Sequence, residues 1–220
     1  MTGRGGHRRA AGHQGPAAGG QDDAGHPDLP ADGKEAEFAE ALVAGFRATS
    51  GGVTARFAAP QARIVRDLVG QIAVLVAGDP AAGQPDELAA ELGLSDSTEL
   101  PDDPVLARLL PDGYAEDPES AGEFRRYTEQ GLRDGKVAAA RTVLDTLPAK
   151  GGRVRLTEAD ARAWLRALND VRLALGVRLG VTDDFDEQSD EIDSDDPRAA
   201  YVWVYHWLAY LQESLVDALS

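Results

Sequence analysis

The stretch WLRALNDVRLALGVRLG, residues 164–180, contains the pattern that decides the fold. Its apolar residues recur at intervals of three and four, which is typical of an amphipathic helix. With ~100° between successive residues, Arg172 and Arg178 lie at the edges of the apolar face, whereas Asn169 and Asp170 point away from it. An unpaired buried charge is costly, so we predict a central helix whose two arginines contact carboxylates on other helices.

The closing stretch YVWVYHWLAYLQESLVDAL offers polar partners for these arginines. Gln212 lies amid the apolar face of this second predicted helix, and Glu213 and Asp217 lie at its side. We therefore predict a structural polar core that consists of Asn169, Asp170, Arg172, Arg178, Gln212 and Glu213. Within this set, Asp170 also follows Arg166 by four residues, which is the spacing of a surface ion pair.

Four aromatic or imidazole side chains cover the other side of this closing helix: Trp203, His206, Trp207 and Tyr210. Such a face is buried in the centre of a fold, binds a protein partner or a second copy of the chain, or lines a small-molecule pocket. We take the four residues as partner-binding candidates. A metal-dependent hydrolase would need several convergent ligands or a matched base, and His206 beside Glu213 does not provide them, so no catalytic residue is predicted.

Short apolar runs predict a small β-sheet. Residues 46–49 and 53–57 flank Ser50-Gly51-Gly52, which is typical of a hairpin. A third run, residues 153–156, follows another glycine pair at 151–152. An offset of 100 residues aligns the two glycine pairs and several residues of the helices that follow. The sequence therefore predicts that a strand and helix unit occurs twice and that the third strand joins the hairpin.

Asp-Pro pairs mark several helix starts, because the aspartate accepts hydrogen bonds from free amides and proline has no N–H to leave unpaired. They predict helices at 104–110, 118–147 and 197–219, and a minor helix is predicted at 85–92. A further helix runs from Pro60 to a stop at Gly78. The predicted class is therefore mainly α with a small antiparallel sheet (α+β), namely a bundle of about four long helices and two or three strands.

The helix predicted from Pro118 has two further features. Glu129 precedes Arg133 by four residues, which predicts an ion pair on its outer face. Gly131 and Gly135 share one face, where each costs about 1 kcal/mol relative to alanine. That cost indicates either close helix packing, which we favour, or a hinge.

Charge and composition limit the function. The net charge of −16 disfavours nonspecific binding to nucleic acid. A local basic face made by Arg125, Arg126, Arg133 and Lys136 keeps a DNA-binding regulator as the alternative hypothesis. The chain has no cysteine and hence no thiol chemistry, and no apolar run is long enough to predict a membrane span.

The chain is predicted to have one folded domain. Residues 1–36 are rich in glycine, proline and alanine and are predicted to be a disordered tail, and residues 37–220 form a single mainly helical domain. The acidic loop at 182–196 lacks the central glycine and final glutamate of a calcium loop. We therefore predict a solvated linker there and no metal or cofactor.

Three blocks carry a family resemblance: LARLLPDGYAEDPESAGEFRRYTEQGLRDGK, WLRALNDVRLALGVRLGV and WLAYLQESLVDAL. Together they resemble the actinobacterial DUF2017 family, over about residues 45 to 219. The resemblance implies a cytoplasmic protein without an established enzymatic activity, and it implies relatives that are oxidative-stress regulators. A cysteine-based mechanism does not carry over to this chain. We therefore expect a non-enzymatic regulatory or adaptor protein that acts through protein contacts, either with a partner protein or as a homodimer.

Overall fold

The computed structural model describes residues 45–78, 99–114, 117–185, 189, 192–193 and 195–220. The predicted tail and the minor helix at 85–92 lie outside these residues. The described residues form β1 (Arg47–Thr49), β2 (Gly52–Phe57), β3 (Gly152–Leu156), α1 (Ala59–Ala77), α2 (Pro104–Leu109), α3 (Pro118–Thr146), α4 (Glu158–Leu179) and α5 (Ala199–Leu219). Four of these helices are long, and the predicted α+β class is confirmed.

The sheet has the strand order β1–β2–β3, and both pairs are antiparallel. One face carries the buried residues Val53, Ala55 and Val154, which pack against the helices. Gly151 starts the turn into β3 with a φ of 72°, a conformation that favours glycine. Because β2 leads into α1 and β3 leads into α4, the order strand then helix occurs twice, as predicted.

Helix α4 lies at the centre of the fold, as its apolar pattern predicts. It contacts every other described helix as well as β2 and β3. Trp164 near its start is fully buried, with its ring 5.4 Å from that of Phe46 and 5.7 Å from that of Phe57. The indole Nε1 donates a 2.8 Å hydrogen bond to Thr146 Oγ1 at the end of α3. Burial of such side chains contributes about 1.5–3 kcal/mol each.

Helices α1 and α3 run antiparallel, and two arginines tie them together. Arg66 in α1 donates a 2.9 Å hydrogen bond to the Leu147 carbonyl at the end of α3. Arg133 in α3 donates a 2.6 Å hydrogen bond to the Val76 carbonyl at the end of α1. The part of α3 that precedes Arg133 therefore extends beyond α1, by ~20 Å at 1.5 Å per residue.

Two of the three described Asp-Pro pairs open helices as predicted. Asp103 accepts hydrogen bonds from the first amides of α2, and Asp117 accepts one from the Ser120 N–H of α3. The third prediction is wrong by two residues. The Asp196 carboxylate accepts hydrogen bonds from Arg198, and α5 begins at Ala199 without a side-chain cap.

The glycines of α3 do not mark close packing. Gly131 and Gly135 are exposed, and a Cβ atom added at either one would have no described atom within 4 Å. The helix is also continuous from Pro118 to Thr146. The favoured prediction of close helix packing at these glycines is therefore wrong, and the alternative of a hinge stays a prediction.

Candidate protein-binding surface

The aromatic residues of α5 divide between the core and the surface. Trp207 is 4% exposed and belongs to the core. Trp203 is half-buried and stacks on Trp207, with ring centroids 5.7 Å apart. His206 and Tyr210 are exposed. The four partner-binding candidates therefore do not form one exposed aromatic surface.

His206 lies against the acidic segment that connects α4 and α5. Its Nε2 atom is 3.2 Å from Ser189 Oγ, and its ring stacks on the buried Phe185 at 6.1 Å. Glu213 lies seven residues further along α5, which separates it from His206 by ~10 Å along the helix axis. Among the described residues, no group of three or more His, Asp or Glu side chains could hold a metal ion.

Arg125 is an internal residue, which corrects the prediction that it contacts DNA. It is 4% exposed, and its guanidinium donates to the carboxylates of Glu129 and Asp112 and to the Leu110 carbonyl. Burial lowers the pKa of Arg125, but the hydrogen bonds to Asp112 and Glu129 more than offset this and leave the pKa above its ordinary value. This arginine fixes α3 to the segment that follows α2.

The other basic residues of α3 are divided as well. Arg133 pairs with Glu129 at 2.8 Å, as the sequence predicts, but Glu129 is buried rather than on an outer face. Lys136 pairs with Asp170 of α4 at 2.6 Å. Arg126 is exposed. Three of the four nucleic-acid candidates therefore join α3 to other parts of the fold and do not form a basic face.

Asp170 is buried, although its position on α4 predicted an outward direction. Helix α3 passes on that side of α4, and Lys136 supplies the ion pair in place of Arg166. Burial raises the pKa of Asp170 above its ordinary value, and the hydrogen bond from Lys136 opposes this rise. Asp170 thus belongs to a polar contact between α3 and α4.

Arg172 contacts α5 through neutral groups, which corrects the expectation of a carboxylate partner. Its Nη1 donates a 2.7 Å hydrogen bond to the side chain of the buried Gln212, and its guanidinium carbon lies 5.2 Å from the centroid of the Tyr205 ring. Its Nε is buried without a hydrogen-bond partner in the described part of the chain. The remaining members of the predicted polar core are exposed: Asn169, Arg178 and Glu213.

An exposed apolar surface lies on α3 and on the loop before it. We call it the α3 surface, and its members are Tyr114 (52% exposed), Phe124 (43%), Tyr127 (63%) and Leu132 (44%). The rings of Tyr114 and Phe124 meet edge to face at 5.6 Å. Phe124 and Leu132 also border a shallow depression whose floor includes Arg125 and Glu129.

The α3 surface was not predicted from the sequence. At ~100° per residue, Tyr127 lies ~60° from Phe124 on α3, whereas Leu132 lies ~140° from Tyr127, so the three residues do not form a narrow apolar stripe. The buried residues of this half of the helix include Arg125 and Glu129, which lie on the side opposite Tyr127, and Leu132 follows them on the same side at intervals of seven and three residues. The spacing of these residues therefore did not identify the surface, because tertiary contacts decide which parts of α3 are covered.

These elements define a class of protein: an α+β domain in which four long helices pack on a three-stranded sheet. The chain belongs to the DUF2017 family, since the model described as "Domain of unknown function (DUF2017)" matches residues 43–219. The resemblance found in the sequence is therefore confirmed. The chain is similar to the oxidative stress regulators AosR of Mycobacterium bovis and Mycobacterium tuberculosis, at 37% identity over 173 residues that cover 72% of this chain and 78% of each relative.

No solved structure matches the chain. In the part of the chain that the structure describes, no helix combines the length and the apolar character needed to cross a membrane.

Proposed function

We propose that this chain is a non-enzymatic, cytoplasmic, stress-related regulatory protein that binds another protein through the α3 surface. One observation carries the proposal: Phe124, Tyr127 and Leu132 of α3 and Tyr114 of the preceding loop are exposed apolar side chains in one region of the surface. Exposed apolar residues that cluster in this way mark interaction sites more often than isolated ones do.

The contacts of two arginines support this proposal, because they fix the helix that carries the α3 surface to its neighbours. Arg125, which lies beside Leu132 and opposite Tyr127, is fixed by Asp112 and Glu129, and Arg133 is fixed by Glu129 and the Val76 carbonyl. A surface that is ordered before binding loses little conformational entropy in the complex. Aromatic side chains also contribute strongly to binding at the centres of protein interfaces.

The relatives support the regulatory part of the proposal. The similar proteins of the two mycobacteria are named oxidative stress regulators, and we extend a stress-related regulatory role to this chain. The chain contains no cysteine, so it forms neither a disulfide nor a sulfenic acid. We therefore propose that the oxidation signal reaches it through the partner protein.

A DNA-binding regulator remains the alternative, but the contacts of α3 argue against the residues first proposed for it. Arg125, Arg133 and Lys136 are each paired with a carboxylate. Freeing any of them for a phosphate would leave Glu129 or Asp170 buried without its full set of partners, which is costly.

The proposal is tested by photo-crosslinking in cells. A benzophenone amino acid at position 127 should form a covalent adduct with one dominant protein, which mass spectrometry identifies. The same amino acid at position 216, an exposed apolar position near the end of α5, is the matched control. Equal adducts at both positions, or none at position 127, would overturn the proposal. An adduct with a second copy of the chain would assign the surface to a homodimer instead.

A further inference from the structure

The outer face of the sheet carries four arginines. Arg47 of β1 lies opposite Thr54 of β2, which in turn lies opposite Arg155 of β3. In the next row on the same face, Arg56 of β2 lies opposite Arg153 of β3. The four arginines are exposed, because the alternate residues of β2 and β3 face the core. We call Arg47, Arg56, Arg153 and Arg155 the arginine face.

These arginines have no counter-charges in the described part of the chain. None of the four takes part in an ion pair there, whereas the exposed Arg162 pairs with Glu158 and the exposed Arg198 pairs with Asp196. Like charges directly opposite each other on neighbouring strands destabilise a sheet. The pairing of Arg56 with Arg153 therefore costs stability without any compensating contact within the described fold.

The described acidic residues that follow α4 lie far from the sheet. The sheet packs near the start of α4, where Trp164 contacts Phe57, whereas residues 182–196 follow the end of α4. A helix of the length of α4 separates its two ends by ~30 Å. At physiological salt, charges interact over about 8 Å. Asp183 and Asp184, which follow α4, are therefore too far from the arginine face to neutralise it.

We propose that the arginine face binds an extended acidic segment of another protein, with Asp or Glu at alternate positions. Alternate residues of an extended chain lie ~6.5 Å apart, which is also the spacing of Arg153 and Arg155 along β3. Arginine binds carboxylates through two parallel hydrogen bonds. This interaction is independent of the α3 surface.

An acidic protein segment fits this face better than duplex DNA does. The arginines occupy three strands of three to six residues, and Glu158 and Asp160 follow β3 directly. A duplex carries one negative charge per about 1.7 Å, so it would bring phosphates against these carboxylates as well as against the arginines. The face also has no aromatic side chain on which a base of single-stranded nucleic acid could stack.

The test measures binding of a fluorescein-labelled peptide of alternating Glu and Thr to the full-length chain by fluorescence anisotropy. A peptide with Gln in place of Glu is the neutral control. The chain variant combines Arg56→Gln and Arg153→Gln. Its matched control combines Arg166→Gln and Arg178→Gln, which removes the same charge from two exposed positions of α4.

We expect the acidic peptide to bind more tightly than the neutral one and to bind more weakly as salt increases. Loss of Arg56 and Arg153 should weaken its binding about tenfold, while the α4 control retains it. The melting temperature of the face variant should not fall, since it relieves the repulsion between the two strands. That result separates lost binding from lost folding.

Three results would overturn the proposal. The first is an acidic peptide that fails to bind at low salt or that binds both double variants equally. The second is tighter binding, through the same arginines, of a DNA duplex of equal charge. The third is concentration-dependent self-association that disappears in the Arg56 and Arg153 variant, which would assign the face to a second copy of the chain. None of these results bears on the α3 surface.

Discussion

At the scale of single residues, the polar groups that interrupt the apolar patterns serve mainly to join helices. Arg125 joins α3 to the loop after α2, Lys136 joins α3 to Asp170 of α4, and Arg172 joins α4 to Gln212 of α5. A helical projection places each of these residues on its own helix but contains no information about neighbouring helices. The polar character of these contacts could therefore be predicted from the sequence, and their partners could not.

Removal of Arg125 should destabilise the protein strongly. Arg125→Ala leaves Glu129 buried with Arg133 as its remaining partner, and breaking a buried ion pair costs about 3–5 kcal/mol. The neighbouring exposed residue gives the control, since Arg126→Ala should change the free energy of unfolding by less than about 0.5 kcal/mol. Urea unfolding followed by circular dichroism measures both. Equal stability of the two variants would contradict a structural role for Arg125.

Asp170 should contribute a pH dependence of stability with an unusual sign. Burial raises the pKa of Asp170 in the folded protein above its value in the unfolded chain. At a pH between these two pKa values, the folded state therefore binds more protons than the unfolded state. The contribution of Asp170 to stability therefore falls as pH rises through this window. Asp170→Asn should remove that contribution, so the stability of the wild type relative to the variant declines with rising pH. A constant difference across urea titrations from acidic to neutral pH would contradict the assignment.

At the scale of elements, local signals predicted most helices and strands correctly. The caps at Asp103 and Asp117 and the capping box of Thr157 and Asp160 involve residues within a few positions of each other, so the sequence contains all the information they need. The start of α5 was placed two residues too early because Asp196 bonds to Arg198. The Asp196 carboxylate accepts hydrogen bonds from Arg198 and does not cap the helix, so α5 begins only at Ala199.

The two glycines of α3 should limit its stability. Gly131→Ala and Gly135→Ala should each raise the free energy of unfolding by about 1 kcal/mol, because alanine is the better helix former and its Cβ has open space at both positions. Gly151→Ala provides the contrast. There φ is 72° and a Cβ would lie 2.7 Å from the Phe57 carbonyl oxygen, so that variant should lose stability. Thermal unfolding of the three variants measures the signs, and destabilisation by either α3 variant would indicate a packing partner on that face.

At the scale of the whole molecule, the fold places two candidate contact surfaces on the outside of a shared core. The arginine face lies on the sheet, and the α3 surface lies on the half of α3 that extends beyond α1. The class of the fold and its family could be predicted from the sequence. The two surfaces could not be predicted. Phe124 and Tyr127 of the α3 surface have residue types that are typical of a core. Arg56 and Arg153 of the arginine face lie nearly 100 residues apart in the sequence.

The central claim is that the protein functions through the α3 surface. The direct measurement is survival of a strain that lacks this chain, under peroxide stress, after complementation with the Tyr127→Ala and Leu132→Ala double variant. Both substitutions replace exposed side chains by a good helix former, so the melting temperature should be unchanged. Val216→Ala, at an exposed position of α5, is the control. We expect the control to restore survival and the folded double variant to fail, whereas full restoration by the double variant would contradict the account.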